Sequence, residues 1–164
     1  MRTLILLSGL PGSGKSTWAK RFCHEYPKAK VVSSDAIRLR EFGAVQNFDH
    51  EKDVWRIFLE EINGYAESDP DAVVIADSTN LSNYYRKYYF EATPNFEKHM
   101  LVYFDIPFEI CQAQNKLRPS NRVVSDEAMK RLSGELEKPS SEIMSLFDEY
   151  IPVGIEFAKK GLAY

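Results

Sequence analysis

The sequence predicts an α/β fold: an open parallel sheet of about five strands with helices on both faces and a helical lid. Three observations predict it. Short apolar runs alternate with helical patterns along the whole chain, the runs are continuous rather than alternating, and most stop at an acid, glycine or proline. Thr3 to Leu7 is the first strand, flanked by Gly9 and Pro11, and Ser16 to Tyr26 the first helix. Ala29 to Val32 forms a second strand, followed by a short helix from Asp35 to Phe42 that its first acid could cap. Val54, Phe58 and Ile62, with Trp55 and Leu59 alongside, predict a helix from about Glu51 to Glu67, stopped by Asp69-Pro70. Trp55 and Phe58 read as core. Ala72 to Ala76, ended by Asp77, and Met100 to Ile106, ended at Pro107, read as interior strands. Helices are expected from Ser82 to about Ala92, Phe108 to Leu117 and Asp126 to Glu137. Tyr150 to Ile155 supplies a fifth strand despite Pro152, and the tail from Glu156 to Tyr164 reads as a frayed end.

No repeat, low-complexity tract or linker interrupts this alternation, so residues 1–164 are expected to form one domain, with a lid segment at about 112–138. In such sheets, ligands bind at the carboxyl ends of the strands.

The chain has 164 residues, 44% of them hydrophobic and 27% charged, which suffices for a core without disulfide or metal staples. No run of about 18 apolar residues could span a membrane, and the stretch from Leu4 to Leu7 is too short for a signal peptide. Cys23 and Cys111 therefore read as reduced thiols, and a cytoplasmic location is expected. The net charge of -3 is unevenly spread: residues 1–45 carry 8 Lys+Arg against 3 Asp+Glu, whereas residues 46–105 carry 5 against 12. A basic first quarter suits a small polyanion bound there, while the overall balance disfavours a long nucleic-acid footprint. His24, His50 and His99 have no metal-ligand spacing.

Gly9-Leu10-Pro11-Gly12-Ser13-Gly14-Lys15-Ser16 matches G-x-x-x-x-G-K-[ST] between a predicted strand and helix, where such a motif cradles phosphates. Gly9, Pro11, Gly12, Ser13 and Gly14 let the backbone wrap with its N–H groups inward, and the helix start directs its positive end at the same place. Lys15 would reach the β and γ phosphates of ATP, and the Ser16 hydroxyl would ligate Mg²⁺, with Thr17 beside it on the first turn. No N-K-x-D guanine motif occurs.

Asp35 and Arg38 lie three apart after the second strand, and phosphoryl transfer to a hydroxyl needs both a proton acceptor and cations around the moving group. The pair would equally make an ordinary helix-start salt bridge. Asp77 closes an interior strand near Ser16, where it could hold a magnesium-bound water or cap a turn. Asn80 could orient a site partner or cap the next helix. Within Tyr84-Tyr85-Arg86-Lys87-Tyr88-Tyr89, the rings either bury against the sheet while Arg86 and Lys87 stay wet, or Tyr84 and Tyr85 form a platform for bases with Arg86 on a phosphate. Arg118 to Ser125 joins two helices and contains Pro119, so it suits a mobile cover from which Arg118 and Arg122 would meet the nucleotide. Acceptor-pocket shape would come from Phe42 to Phe48 and the helix after Ser82.

The phosphate loop GLPGSGKST, S-D-A-I-R at Ser34 to Arg38, V-I-A-D-S-T-N at Val74 to Asn80, and R-x-x-x-R at Arg118 to Arg122 together resemble the small P-loop kinases related to the kinase domain of phage polynucleotide kinase, within the AAA-type ATP-binding kinases. The resemblance spans about residues 1–152. It implies that Asp35 is the general base, that Arg38 contacts a substrate phosphate and that Asp77 could pin Arg38. It implies ATP and Mg²⁺ as cofactors and a hydroxyl acceptor, foremost the 5'-hydroxyl of a short single-stranded nucleic-acid end. A sugar, nucleoside or other small alcohol, or ATP binding without transfer, are the alternatives. Members of that family often carry an arginine where Gln114 stands.

Overall fold

The structure, a computed structural model, describes residues 1–157. Most of the expected tail, 158–164, lies outside the described residues. Five strands, β1 (Thr3–Ser8), β2 (Lys30–Ser33), β3 (Val73–Asp77), β4 (Lys98–Phe104) and β5 (Glu149–Val153), form one sheet in the order β2-β3-β1-β4-β5. Every pairing is parallel. Among the described residues, seven α-helices connect and flank them: α1 (Lys15–Glu25), α2 (Ser34–Phe42), α3 (Glu51–Ser68), α4 (Asn83–Glu91), α5 (Phe108–Lys116), α6 (Asp126–Glu135) and α7 (Ser141–Leu146). A 3-10 turn, Ser120–Arg122, sits between α5 and α6.

β1 is the central strand, and its period-two alternation divides the core. Leu4 and Leu6 face one layer with Val54, Phe58, Ile62 and Ala66 of α3, Tyr89 of α4 and Ile143 of α7. Ile5 and Leu7 face the other with Ala19 of α1, Cys111 of α5 and Met129 of α6. The α3 stripe recurs every fourth residue and is fully buried, as the spacing predicted. Trp55 is only partly buried and packs at the edge of its layer. The unforeseen element is α7, a six-residue helix capped by Ser140, whose hydroxyl accepts from the Ile143 amide at 3.2 Å.

Two expected caps are corrected. Ser33, not Asp35, caps α2, its Oγ accepting from Ala36 N, and Ser82, not Asn80, caps α4, accepting from Tyr85 N. The first substitution leaves the Asp35 carboxylate free to face the sheet's carboxyl edge. Among the described residues, no helix is long and apolar enough to cross a membrane.

Candidate active site

The first connection leaves β1 at Ser8 and wraps into α1. Gly12 and Gly14 adopt φ of 80° and 100°, which other residues rarely accept. Gly12 is also fixed by space, because a Cβ there would stand 2.2 Å from the Cys111 carbonyl oxygen and 2.8 Å from the Asn115 amide nitrogen. The backbone of α5 thus rests directly on the loop. Lys15 is buried, its Nζ donating to the carbonyls of Gly9 and Leu10 at 2.9 and 2.8 Å. Burial pushes its pKa down to about 8, with the nearby Asp77 carboxylate opposing the shift.

Asp77 ends β3 next to β1, so its carboxylate reaches the start of α1, where the Ser16 hydroxyl donates to Oδ2 at 3.4 Å. Burial raises the Asp77 pKa, and Lys15 is the main group opposing that rise. Among the described residues, no three His, Cys, Asp or Glu gather into an all-protein metal centre. A hydroxyl beside one half-buried carboxylate is instead the donor set Mg²⁺ accepts when phosphate oxygens and waters complete its octahedron. Ser16 and Asp77 therefore fit that ion.

Across the cleft, α2 presents Asp35 and Arg38 on one face. Asp35 is surrounded by three arginines: Arg38 Nη1 donates to Oδ1 at 3.0 Å, and Arg118 and Arg122 stand 3.6 and 3.5 Å from Oδ2. Arg38 is buried, and Glu51, the first residue of α3, accepts from its Nε at 3.0 Å and its Nη2 at 2.7 Å. Asp77 does not pin Arg38, contrary to the role implied by resemblance; Glu51 holds it. That contact was missed because Glu51 is joined to Arg38 only through the non-periodic segment 43–50. The Arg38 guanidinium carbon also lies 5.0 Å from the Phe48 ring centroid and 5.5 Å from that of Trp55.

Asp77, Asp35, Arg38, Glu51, Phe48, Arg118 and Arg122 line one cleft of about 920 Å³ together with the phosphate loop. Two donors at the cleft, Arg122 Nε and Gln114 Nε2, are buried without a hydrogen-bond partner among the described residues. The loop between α5 and α6 is tied at its base, where Asn115 Nδ2 donates to the Val124 carbonyl and Val124 N donates to Asn115 Oδ1. Gln46 Nε2 donates to the Val123 carbonyl at 3.3 Å, linking that loop to segment 43–50.

Two expected substrate residues do not reach the cleft. Asn80 is buried at φ 45°, donating through its side chain to the Leu7 carbonyl while its own carbonyl accepts from Ser8 Oγ. It braces the strand ends beneath the phosphate loop. Arg86 is fully buried rather than wet, donating to Ser8 Oγ, Asn83 Oδ1 and the carbonyls of Leu81 and Glu137. Capping by Ser82 sets the rotation of α4 so that Arg86 and Tyr89 face inward while Tyr84, Tyr85 and Tyr88 face solvent, which corrects the expected burial of those rings. Neither Tyr84 nor Tyr85 lines the cleft.

The family model described as "AAA domain" matches residues 4–139. The chain belongs to this family. It is 31% identical over 139 residues to a 2',3'-cyclic-nucleotide 3'-phosphodiesterase of Rattus norvegicus, covering 84% of this chain and 32% of that one. The chain thus spans about a third of the length of the curated relatives it matches. Its fold is that of P-loop kinases. It resembles Chaetomium thermophilum Kti12 in complex with ADP-AlF3 (TM-score 0.71, 16% identity, 98% and 97% of the two chains). It also resembles a fungal RNA kinase (0.68, 16%, 92% and 73%) and a gluconokinase from Sinorhizobium meliloti 1021 (0.60, 18%, 99% and 94%).

Proposed function

We propose that this family member is an ATP- and Mg²⁺-dependent kinase that transfers the γ-phosphoryl group to a hydroxyl, foremost the 5'-hydroxyl of a single-stranded polynucleotide end. The observation that carries the proposal is Asp35 ringed by Arg38, Arg118 and Arg122 in the same cleft as Lys15. A protein that only binds ATP has no use for such a carboxylate.

Inward-facing amides of the loop from Gly9 to Gly14 and the Lys15 ammonium hold the nucleotide phosphates, with Pro11 and Ser13 shaping the loop and Thr17 following on the first turn. Ser16 and Asp77 would hold Mg²⁺, which would supply charge neutralisation at the phosphates. Asp35 takes the proton as the acceptor oxygen forms its bond to the γ phosphorus, and the bond from that phosphorus to the β–γ bridging oxygen breaks. Arg118 and Arg122, on the loop read as a lid, turn from Asp35 to the charge spread over the moving group. Such a loop keeps water from the transferring group.

The basic first quarter supports a polynucleotide end over a sugar, while the fold, shared with an RNA kinase and a gluconokinase alike, favours neither. A labelled-ATP transfer assay against 5'-hydroxyl DNA and RNA oligonucleotides, nucleosides and sugars tests the reading. Label on the oligonucleotides is expected, and label confined to a sugar or nucleoside would overturn the polynucleotide acceptor.

A further inference from the structure

The acceptor side of the cleft presents a large aromatic side chain to solvent beside Arg38. Phe48 is 55% exposed, lines the cleft, and lies with its ring 5.0 Å from the Arg38 guanidinium carbon. With the guanidinium over the ring on one side and more than half of the residue exposed, this phenylalanine has flat aromatic surface left for a ligand.

Two polar side chains on the same wall, Arg38 and Gln46, already have partners. Arg38 gives Nε and Nη2 to Glu51 and Nη1 to Asp35, and Gln46 donates to the Val123 carbonyl. A sugar acid or polyol depends on free donors and cations at this wall, whereas a flat ring needs only a face. Asp35 and Phe48 also flank the same guanidinium, so a ribose can bridge from a base on Phe48 to a 5'-oxygen at Asp35. Beyond Trp55 the surface continues into a second groove of about 690 Å³ between α3 and α4, lined by Lys52, Arg56, Glu60 and Glu67. Its two cations and two acids cancel, and Arg56 is paired with Asp53 and Glu60. Nucleotides following the first gain little charge attraction there.

Resting on the polynucleotide reading above, we propose that Phe48 is the stacking platform for the terminal base of the acceptor, so that the enzyme recognises the first nucleoside rather than the backbone behind it.

The test compares wild type, Phe48→Ala, Phe48→Leu and Phe48→Trp on a 5'-hydroxyl oligonucleotide and on the same oligonucleotide with an abasic first residue. Loss of base stacking should raise the acceptor KM of Phe48→Ala about 5- to 100-fold with the ATP KM unchanged. Phe48→Trp should restore it. Phe48→Leu keeps the bulk without the flat face, so it should behave like Phe48→Ala even if the alanine variant folds poorly. The abasic acceptor should be poor for wild type and indifferent to the substitutions. If wild type phosphorylates the abasic and intact ends equally well, the platform is wrong while the polynucleotide reading stands. If no 5'-hydroxyl oligonucleotide accepts label from wild type, both fall.

Discussion

Glu51 holds Arg38 with both carboxylate oxygens, at 3.0 Å from Nε and 2.7 Å from Nη2, and so fixes the direction in which Nη1 points to Asp35. A paired fork of this kind sets orientation as well as charge. Glu51→Gln keeps one acceptor oxygen and removes the charge. The expected outcome is a fall in kcat of about tenfold or more, because a misdirected arginine loses transition-state contacts, with the ATP KM within about twofold. Steady-state kinetics with each substrate varied checks this; a change confined to the ATP KM would detach Glu51 from the acceptor side.

Asp35→Asn preserves shape and removes the proton acceptor. Transfer should drop by roughly 10²- to 10⁴-fold, the range for losing a general base, while ATP affinity holds or rises slightly as three arginines lose a competing carboxylate. Single-turnover transfer and equilibrium nucleotide binding, measured on the same preparation, separate the two effects. Collapse of ATP binding together with transfer would assign Asp35 a structural or nucleotide-holding role.

Lys15 supplies a pH signature. Its pKa lies at about 8 against an ordinary 10.5, so between those values the unfolded chain holds a proton that the folded one has released. Stability contributed by this group therefore rises with pH across that window. Nucleotide binding runs the other way, since phosphates favour the charged ammonium: affinity should weaken as pH climbs through about 8, by up to tenfold per unit, with proton uptake on binding. Calorimetry in two buffers of different ionisation enthalpy at about pH 8.5 reads that uptake directly, and its absence would mean that Lys15 is already charged before nucleotide arrives.

Arg86→Met should act on the fold and leave the chemistry alone. Removing the cation orphans the Glu137 carbonyl and strips one partner each from the Ser8 hydroxyl, the Asn83 side chain and the Leu81 carbonyl, which keep bonds to Asn80, Ser140 and Glu137. A loss of about 2–5 kcal/mol is expected for such a buried hub, visible as a drop in Tm of roughly 5–15 °C. At a temperature where the variant is folded, its acceptor KM should match wild type; a raised KM at unchanged Tm would return Arg86 to the substrate.

The contrast between Lys15 and Arg86 shows what the sequence could carry. Lys15 sits in a contiguous eight-residue motif between a strand and a helix, and a local motif fixes its own geometry. The interior strands β1, β3 and β4 were equally legible, because a sheet covered on both faces demands unbroken apolar runs. Arg86 was misread because the helical period of α4 gives spacing and not phase: with tyrosines at 84, 85, 88 and 89, several rotations bury rings, and the cap at Ser82 together with unsatisfied groups on β1 and at Glu137 selects the one that buries the arginine. The grip of Glu51 on Arg38 crosses thirteen positions through an irregular loop, which no periodicity reports. The short α7 lacks the two or three turns that a moment needs.

The reciprocal hydrogen bonds between Asn115 and Val124 set the amplitude of whatever the intervening loop does. With both ends stapled, only eight residues remain between the anchors, and a fully extended strand of that length, doubled back on itself, carries its tip no further than about 15 Å. Such a strap flaps on the nanosecond-to-microsecond scale of surface loops rather than the slower scale of hinged domains. Under the proposed function, turnover would be paced by bond-making or by departure of the phosphorylated product, and thickening the solvent with a viscogen should slow it only in the second case.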